Sequence, residues 1–364
     1  MKTKRRFLAL AFLLSTLNLQ LSTSVYAATT IDAASKYAYG ANMGWMDWTG
    51  DAAHGAVMGE YVCSGYIYAA NVGWINFGSG SPANGIQYQN NSASDFGVNL
   101  DGLGSLSGYA WGANIGWITF EQTYGAPKIN MITGQMSGYV WSANCGWISL
   151  SNAFAYVQTD RIEQGALAPN GLPIAWLLSN FGTTSVNANA DPTAKGVTIA
   201  QDYLDGTDPN NANSIFRITA ESFSSGGTSA ALTWNSVATR YYYILKATGL
   251  NPPVWTDSGL GLIPPAGLAT VASLSDTTAT KRFYRVEAVR PLVAVQTPGA
   301  PLLTIKYVSN QAIISWSPSV TGWTLQTNVN LATGAWGHYL GPIVNNSVTN
   351  APLTGKLFFR LSNP

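Results

Sequence analysis

The amino-acid sequence predicts an all-β fold with several modules, and three observations support this prediction. The chain is rich in Gly, Tyr and Trp, with 37, 18 and 13 residues, a composition typical of short strands joined by tight turns. An aromatic segment recurs four times in the first half of the chain. Two segments near the C-terminus share one order of aromatic and apolar residues, and a length of 364 residues predicts more than one domain.

The first residues have the pattern of a secretory signal peptide. A basic cluster at Lys2 to Arg6 precedes an apolar stretch from Phe7 to Leu14, and small residues at Val25 and Ala27 mark a cleavage site. The apolar stretch is shorter than the roughly 20 residues of a transmembrane helix. We therefore assign residues 1–27 to a signal peptide. The mature protein is expected to be secreted, extracellular or at the cell surface of a bacterium, without a transmembrane segment.

The charge of the chain narrows the class of partners. Charged residues make up 10% of the sequence, against roughly 25% in most soluble proteins. A formal net charge of +1 provides no basic surface for nucleic acid. The expected partners are polysaccharides or other surface proteins, and no nucleic acid.

The four aromatic segments predict β-hairpins. Each copy reads Tyr-x-aromatic, one small residue, and then Ala-Asn-x-Gly-Trp, with tryptophans at Trp45, Trp74, Trp117 and Trp147. Ala-Asn-x-Gly fits a type I turn closed by a left-handed glycine, and the asparagine amide is expected to brace that turn. The tryptophans are 29, 43 and 30 residues apart, a spacing typical of stacked arrays. We predict a repeat domain at residues 28–155, either a solenoid or propeller-like.

Side-chain alternation assigns two faces to each hairpin. The two aromatic residues of the first strand share a face with the tryptophan, while Ala110, Ile118 and Phe120 of the third copy lie on the other face. The aromatic face is either a platform for sugar rings or a packed ladder, and its recurrence in every copy favours the ladder. The candidate platform residues are Tyr37, Tyr39, Trp45, Tyr66, Tyr68, Trp74, Tyr109, Trp111, Trp117, Tyr139, Trp141 and Trp147.

Residues 156–213 predict a partly helical connector. The segment from Asp191 to Pro209 resembles a linker of secreted modular bacterial proteins, in which a calcium loop similar to an EF-hand or thrombospondin type 3 repeat precedes Gly-Thr-Asp-Pro. The resemblance implies calcium ligands at Asp191, Thr193 and Asp202. Lys195 places a cation where a ligand is expected. We therefore expect the loop to keep its shape without calcium, and we expect no other cofactor.

Residues 214–292 and 300–364 predict two β-sandwich modules. In both, a Trp-ended strand is followed by a second Trp and a final strand, with Arg285 and Arg360 at equivalent positions. The modules resemble the fibronectin type III-like or immunoglobulin-like domains of secreted bacterial proteins. The resemblance implies a spacer, an adhesion unit or a surface-attachment unit.

The two cysteines, Cys63 and Cys145, leave two alternatives open. They form one disulfide in an oxidising compartment, or they remain two buried free thiols. Two cysteines and two histidines are too few for a zinc site of ordinary spacing, so no metal site is predicted beyond the degenerate calcium loop.

No nucleophile or acid–base motif is found, so no catalytic residue is assigned. We predict a non-catalytic cell-surface or extracellular-matrix protein with a structural or adhesive role. The alternative is a carbohydrate-binding protein that uses exposed Tyr and Trp rings. A third hypothesis is a polysaccharide-degrading enzyme that uses Asp47 with Glu60 or Glu121. Exposure of the aromatic face distinguishes the first two hypotheses.

Overall fold

A computed structural model describes residues 29–51, 53–224, 228–251, 255–275, 281–292, 302–308, 311–317, 323–329, 336–350 and 357–362. The predicted signal peptide at 1–27 lies outside the described residues. The all-β prediction is confirmed, because 46% of the structure is strand and the described residues form two helices. Neither of these helices has the length and apolar character needed to cross a membrane.

The four aromatic hairpins close into an eight-stranded barrel. The strands of this part of the chain are β1 (Ile31–Gly40), β2 (Gly44–Asp47), β3 (Ser64–Ala69), β4 (Gly73–Ser79), β5 (Val98–Leu100), β6 (Leu106–Gly112), β7 (Gly116–Phe120), β8 (Lys128–Ile129), β9 (Met136–Ser137), β10 (Tyr139–Ser142), β11 (Gly146–Ser149) and β12 (Val157–Thr159). The hairpins are β1–β2, β3–β4, β6–β7 and β10–β11, and each pairs edge to edge with the next.

Closure of the barrel comes from the pairing of β11 with β1, where Tyr39 lies opposite Ser149. The solenoid or propeller-like stack that the sequence predicted is therefore not what the structure contains. Backbone ladders between neighbouring hairpins join the copies, and closure removes the free edges that an open array would expose. The buried cluster of the barrel extends to Ile162, and β12 pairs with β1, so the domain continues past the predicted boundary at 155.

The interior of the barrel is filled by one face of each hairpin. Three side chains per hairpin point inward, and all are at most 2% exposed. They are Ala38, Met46 and Trp48; Ile67, Ile75 and Phe77; Ala110, Ile118 and Phe120; and Val140, Ile148 and Leu150. Burial of this apolar area is the main stabilising contribution to the domain.

The four turns close one end of the barrel. In the first, the Met43 N–H donates to the Gly40 carbonyl at 3.2 Å, and Gly44 adopts a φ of 80°. The other three turns repeat both features, so the predicted type I turn with a left-handed glycine is confirmed. The side chain after the asparagine is buried in three copies, as Met43, Ile115 and Cys145, and in the second copy Val72 packs partly buried against the core.

The turn asparagines bond differently from the expectation. Each donates its side-chain amide to a backbone carbonyl of the neighbouring turn and not to its own turn. The four bonds run from Asn42 to Cys145 (3.1 Å), from Asn71 to Met43 (3.1 Å), from Asn114 to Val72 (3.0 Å) and from Asn144 to Ile115 (3.0 Å). They form a ring around the closed end of the barrel and fix the order of the hairpins.

Both cysteines are free and buried in the structure. Cys145 lies in a turn at the closed end, whereas Cys63 precedes the six residues of β3 and so lies towards the opposite end. A strand of that length separates the two ends by about 20 Å, beyond the roughly 7 Å that a disulfide spans. The disulfide alternative is therefore excluded. Burial raises the pKa of the Cys63 thiol to about 12.

The connector contains two short helices, α1 (Ile174–Phe181) and α2 (Ile199–Asp205). The Thr198 side chain caps α2 by accepting from the Gln201 N–H, and Gly206 ends it with a φ of 73°. The helices share a small core, with Trp176 and Tyr203 packed edge to face at 5.3 Å.

Each C-terminal module consists of two three-stranded antiparallel sheets. The first module contains β13 (Ile218–Phe223), β14 (Ser229–Asn235), β15 (Tyr241–Ala247), β16 (Thr256–Asp257), β17 (Ala269–Ser275) and β18 (Phe283–Val289). The second contains β19 (Leu302–Val308), β20 (Gln311–Ser317), β21 (Thr324–Asn328), β22 (Gly337–His338), β23 (Ser347–Asn350) and β24 (Phe358–Ser362). Trp234 and Trp316 occupy equivalent places in the two cores.

The two equivalent arginines of the modules also have equivalent partners. The Arg285 guanidinium lies 5.0 Å from the centre of the Trp255 ring, and the Arg360 guanidinium lies 4.6 Å from that of Trp336. Both arginines are exposed, so these cation–π contacts lie at the surface of the modules.

Candidate functional site

The aromatic face of every hairpin points outward from the barrel. All twelve candidate platform side chains are between 37% and 49% exposed. We call this set the aromatic belt: Tyr37, Tyr39 and Trp45; Tyr66, Tyr68 and Trp74; Tyr109, Trp111 and Trp117; and Tyr139, Trp141 and Trp147. The packed-ladder interpretation required these rings to be buried, and they are not.

Each hairpin contributes a triad of outward rings, and in the first three hairpins the tryptophan ring contacts both aromatic rings of the first strand. In the fourth hairpin Trp147 contacts Tyr139, with ring centres 6.3 Å apart. In the third hairpin the Trp117 ring centre lies 4.6 Å from that of Trp111 and 5.9 Å from that of Tyr109, with interplanar angles of 62° and 69°. In the first hairpin Tyr39 lies 4.9 Å from Trp45 at 58°. Because the rings meet at steep angles, no ring covers the whole face of another.

A polar residue follows each tryptophan by two positions and also points outward. These residues are Asp47, Asn76, Thr119 and Ser149, and all are half-buried. Each lies opposite an aromatic residue of its own hairpin and another of the next, as Asn76 does with Tyr66 and Trp111. This polar row was not among the residues predicted from the sequence, although its signal is present: every copy has a short polar residue at the second position after Trp.

The three carboxylates of the enzyme hypothesis all have protein partners. Asp47 accepts from the Lys36 ammonium at 2.7 Å, a hydrogen bond that raises the pKa of Lys36. Glu121 accepts from the backbone N–H groups of residues 123–125. Burial raises the pKa of Glu121, but those N–H bonds outweigh it, and the pKa is lowered overall.

Glu60 belongs to a junction between the barrel, the connector and the first sandwich. Its carboxylate accepts from the Tyr203 hydroxyl at 2.7 Å and from Arg290 at 3.2 Å. Arg240 of the sandwich donates to the backbone carbonyls of Tyr203 and Leu204. Burial raises the pKa of the Tyr203 hydroxyl, so the phenol remains protonated and donates to Glu60. This arrangement holds the three units together and leaves Glu60 with two partners inside the protein.

The residues of the degenerate calcium loop do not fit a calcium ion. The Lys195 ammonium lies 2.7 Å from an oxygen of Asp202, and both side chains are fully buried. Lys195 also donates to the backbone carbonyls of Asp208 at 2.7 Å and Ser214 at 3.0 Å. Asp191 accepts from the N–H groups of Lys195 and Gly196. The ammonium thus takes the oxygen atoms that a cation would need.

The described residues contain no cluster of three or more His, Cys, Asp or Glu side chains able to hold a metal ion. Comparisons of the chain with protein-family models, with curated proteins and with solved structures give no match. The function is therefore inferred from the geometry of the aromatic belt.

Proposed function

We propose that the barrel is a non-catalytic carbohydrate-binding module of a secreted surface protein. The observation that carries this proposal is the exposure of all twelve belt side chains on a barrel whose core is complete without them. Flat Trp and Tyr rings bind sugars because the apolar C–H face of a pyranose ring stacks on an aromatic face. The adjacent polar row supplies donors and acceptors for sugar hydroxyl groups.

The side chains that point into the barrel account for the stability of the fold. Large inward side chains such as Trp48, Phe77 and Phe120 are fully or almost fully buried. The outward rings add cross-strand aromatic pairs, each of which contributes about 0.5–1.5 kcal/mol. Because the core is complete without the outward tryptophans, their exposure favours a role at the surface in addition to pairing. Exposed apolar surface bordered by polar residues is characteristic of interaction sites.

The composition of the belt favours a neutral ligand. Its twelve members are all Tyr and Trp side chains, and the polar row has one carboxylate, Asp47, whose charge is matched by Lys36. The chain as a whole has a formal net charge of +1. We infer that neutral polysaccharides are the ligands.

The presence of four triads on one barrel favours an adhesive role that results from sugar binding. Four similar triads lie around one barrel and point in different directions. A barrel of this kind contacts several polysaccharide chains at once, and such multivalent contacts strengthen attachment beyond the affinity of one site. The structural or adhesive function predicted from the sequence then follows from sugar binding.

The experiment is a binding titration of the full mature chain with soluble polysaccharides, both neutral and acidic, by calorimetry and by affinity electrophoresis. We expect saturable binding to at least one neutral polysaccharide. Replacement of the four belt tryptophans by alanine should abolish it. The matched control is Phe154→Ala, which removes an aromatic side chain that is 91% exposed and lies outside the belt.

The control variant should bind as the wild type does. If the wild type bound no neutral polysaccharide, or if Phe154→Ala reduced binding as strongly as the belt variant, the proposal would be wrong. Circular dichroism of each variant separates loss of binding from loss of fold.

A further inference from the structure

A cleft lies beside the triad of the third hairpin. The cleft has a volume of about 430 Å³ and is lined by Asn90, Asn91, Ser92, Ala93, Phe96, Tyr109 and Trp117. That volume lies within the range of roughly 300–1,000 Å³ typical of small-molecule sites. The ring of Phe96 meets that of Trp117 at 5.0 Å and 84°, so three aromatic rings line one side of the cleft.

The loop that forms the other side is held rigidly. The buried Asp95 carboxylate accepts from the N–H groups of Ala83 and Gln89, both at 3.1 Å. The Asn90 side chain accepts from the Gly97 N–H at 3.0 Å. The Tyr88 hydroxyl donates to the Cys63 carbonyl at 3.0 Å and so anchors the loop to the barrel. A preformed wall of this kind lowers the entropy cost of binding.

The fourth hairpin provides an internal comparison. The Tyr109 N–H donates to the Gly97 carbonyl at 3.1 Å, and the Tyr139 N–H donates to the Gly125 carbonyl at 2.8 Å. Phe96 and Tyr124 are therefore equivalent, because each precedes the accepting glycine. Tyr124 is 82% exposed, whereas Phe96 is half-buried against Trp117. The covering loop is thus a feature of the third hairpin.

The chemistry of the lining defines the ligand. None of the seven lining residues is charged, and they combine aromatic rings with the exposed amide of Asn91 and hydroxyl of Ser92. An uncharged cleft with rings on one side and hydrogen-bonding groups on the other matches a sugar ring, which has an apolar face and a polar rim.

We propose that this cleft is the principal sugar subsite of the barrel and that it holds a residue of a neutral glycan between the Phe96–Trp117 rings and the Asn90–Ala93 loop. This inference rests on the proposed carbohydrate-binding function. The other three triads then act as open, weaker contacts for the rest of a polymer. A short neutral oligosaccharide binds at the cleft, and long chains bind at the cleft and the belt together.

The test compares Phe96→Ala and Asn91→Ala with the matched control Tyr124→Ala in the full mature chain. The ligands are the neutral polysaccharide that binds the wild type best and a short oligosaccharide of it. We expect Phe96→Ala to weaken oligosaccharide binding by about tenfold, the loss typical of a central contact residue. Asn91→Ala should weaken it less, and Tyr124→Ala should leave it unchanged. Asn91 is exposed, so its variant keeps the fold even if Phe96→Ala disturbs the loop.

The outcomes separate the two proposals. If the wild type binds the polysaccharide but all three variants bind the oligosaccharide equally, the belt binds sugars and the cleft proposal is wrong. An equal loss with Tyr124→Ala and Phe96→Ala would also overturn the cleft. Absence of any neutral polysaccharide binding by the wild type would overturn the carbohydrate-binding function itself.

Discussion

Replacement of Lys195 tests whether a lysine ammonium serves as the cation of the connector loop. In the wild type the ammonium neutralises the buried Asp202 carboxylate and satisfies the carbonyls of Asp208 and Ser214. Lys195→Met keeps most of the side-chain volume and removes the charge. It leaves a buried carboxylate without its counter-ion, since Thr207 is its remaining partner at 2.6 Å.

The expected cost follows from the burial of the pair. Both side chains are fully buried, and removal of one partner from such an ion pair destabilises a protein by about 3–5 kcal/mol. Unfolding of a chain with several modules is not a single transition, so a local measurement is needed. Amide hydrogen exchange of α2 in the full chain reports the connector directly. At the low end of that cost, α2 exchanges on the order of a hundredfold faster in Lys195→Met.

A second variant tests whether the loop can bind calcium once a carboxylate replaces the lysine. Lys195→Asp places a carboxylate at the loop position where a calcium ligand is expected. We expect α2 to exchange fast in this variant with a chelator and to be protected again by calcium. Saturation at 100 times the dissociation constant contributes about 2.7 kcal/mol. The wild type should exchange at the same rate with calcium and with chelator. If calcium slowed exchange in the wild type, or if Lys195→Met exchanged like the wild type, Lys195 would not be the cation of this loop.

Three further predictions concern stability. Asn144→Ala opens the ring of turn asparagines by removing the 3.0 Å bond to the Ile115 carbonyl, and thermal unfolding should show a loss of about 1 kcal/mol; an unchanged melting temperature would mean that the ring contributes nothing. Burial raises the pKa of Asp205 to about 6 from 3.8, so its contribution is favourable at pH 4 and is lost as the pH rises through about 6. Asp205→Asn should therefore stabilise the connector by roughly 1–2 kcal/mol at pH 8 and leave it unchanged at pH 4, as the hydrogen-exchange protection of α2 relative to the wild type at the two pH values would show. Gly97→Ala places a Cβ in overlap with the Tyr88 ring and should cost about 1–3 kcal/mol; a variant that melts like the wild type would contradict the proposed tight packing of this loop.

The local structure of the hairpins could be predicted from the sequence because its causes are local. The Ala-Asn-x-Gly motif determines the turn, and the left-handed conformation of Gly44 and its equivalents excludes most other residues. Alternation likewise assigned Tyr109 and Trp111 to one face and Ala110 to the other, and the burial of Ala110 agrees with this.

The direction of the two faces could not be predicted, since both are apolar and pattern alone does not say which one is buried. Closure of the barrel depends on the pairing of Tyr39 with Ser149, residues far apart in the chain. One signal was available: the first turn residue is small in each copy, because a side chain at Gly40 or Gly112 would overlap Met43 or Ile115 inside the closed end. The ion pair of Lys195 is also a long-range feature, because its carbonyl partners follow α2.

The same limit applies to the candidate site. The twelve belt residues could be named from the repeat, but their exposure depends on which face the barrel encloses. The loop that covers Phe96 is held by hydrogen bonds from backbone N–H groups several residues away to the side chains of Asp95 and Asn90. No local sequence motif predicts these bonds. The polar row could have been predicted from the sequence, because a short polar residue recurs at the second position after each tryptophan.

Two adjacent residues of β7 provide the most direct comparison between side chains inside the barrel and those of the aromatic belt. Ile118 is 1% exposed and points into the core, whereas Trp117 is 43% exposed and belongs to the belt. Truncation of a buried isoleucine costs about 2–5 kcal/mol, because apolar burial is lost and a cavity remains. Loss of the Trp117 ring removes contacts with three aromatic rings, each worth about 0.5–1.5 kcal/mol, but it leaves no cavity in the core because the ring lies at the surface. Ile118→Ala should therefore destabilise the barrel strongly and leave binding by the folded fraction intact.

Trp117→Ala should have the opposite profile, a smaller loss of stability than Ile118→Ala and a large loss of glycan affinity. Denaturant unfolding and calorimetric titration of the two variants measure both quantities on one strand. Trp117 is larger than Ile118, so a model based only on the apolar volume removed predicts that Trp117→Ala is the more destabilising variant. Burial predicts that Ile118→Ala is the more destabilising one. If Trp117→Ala proved the more destabilising of the two, the aromatic belt would be a structural part of the barrel. The packed-ladder interpretation would then be correct although the belt residues are exposed.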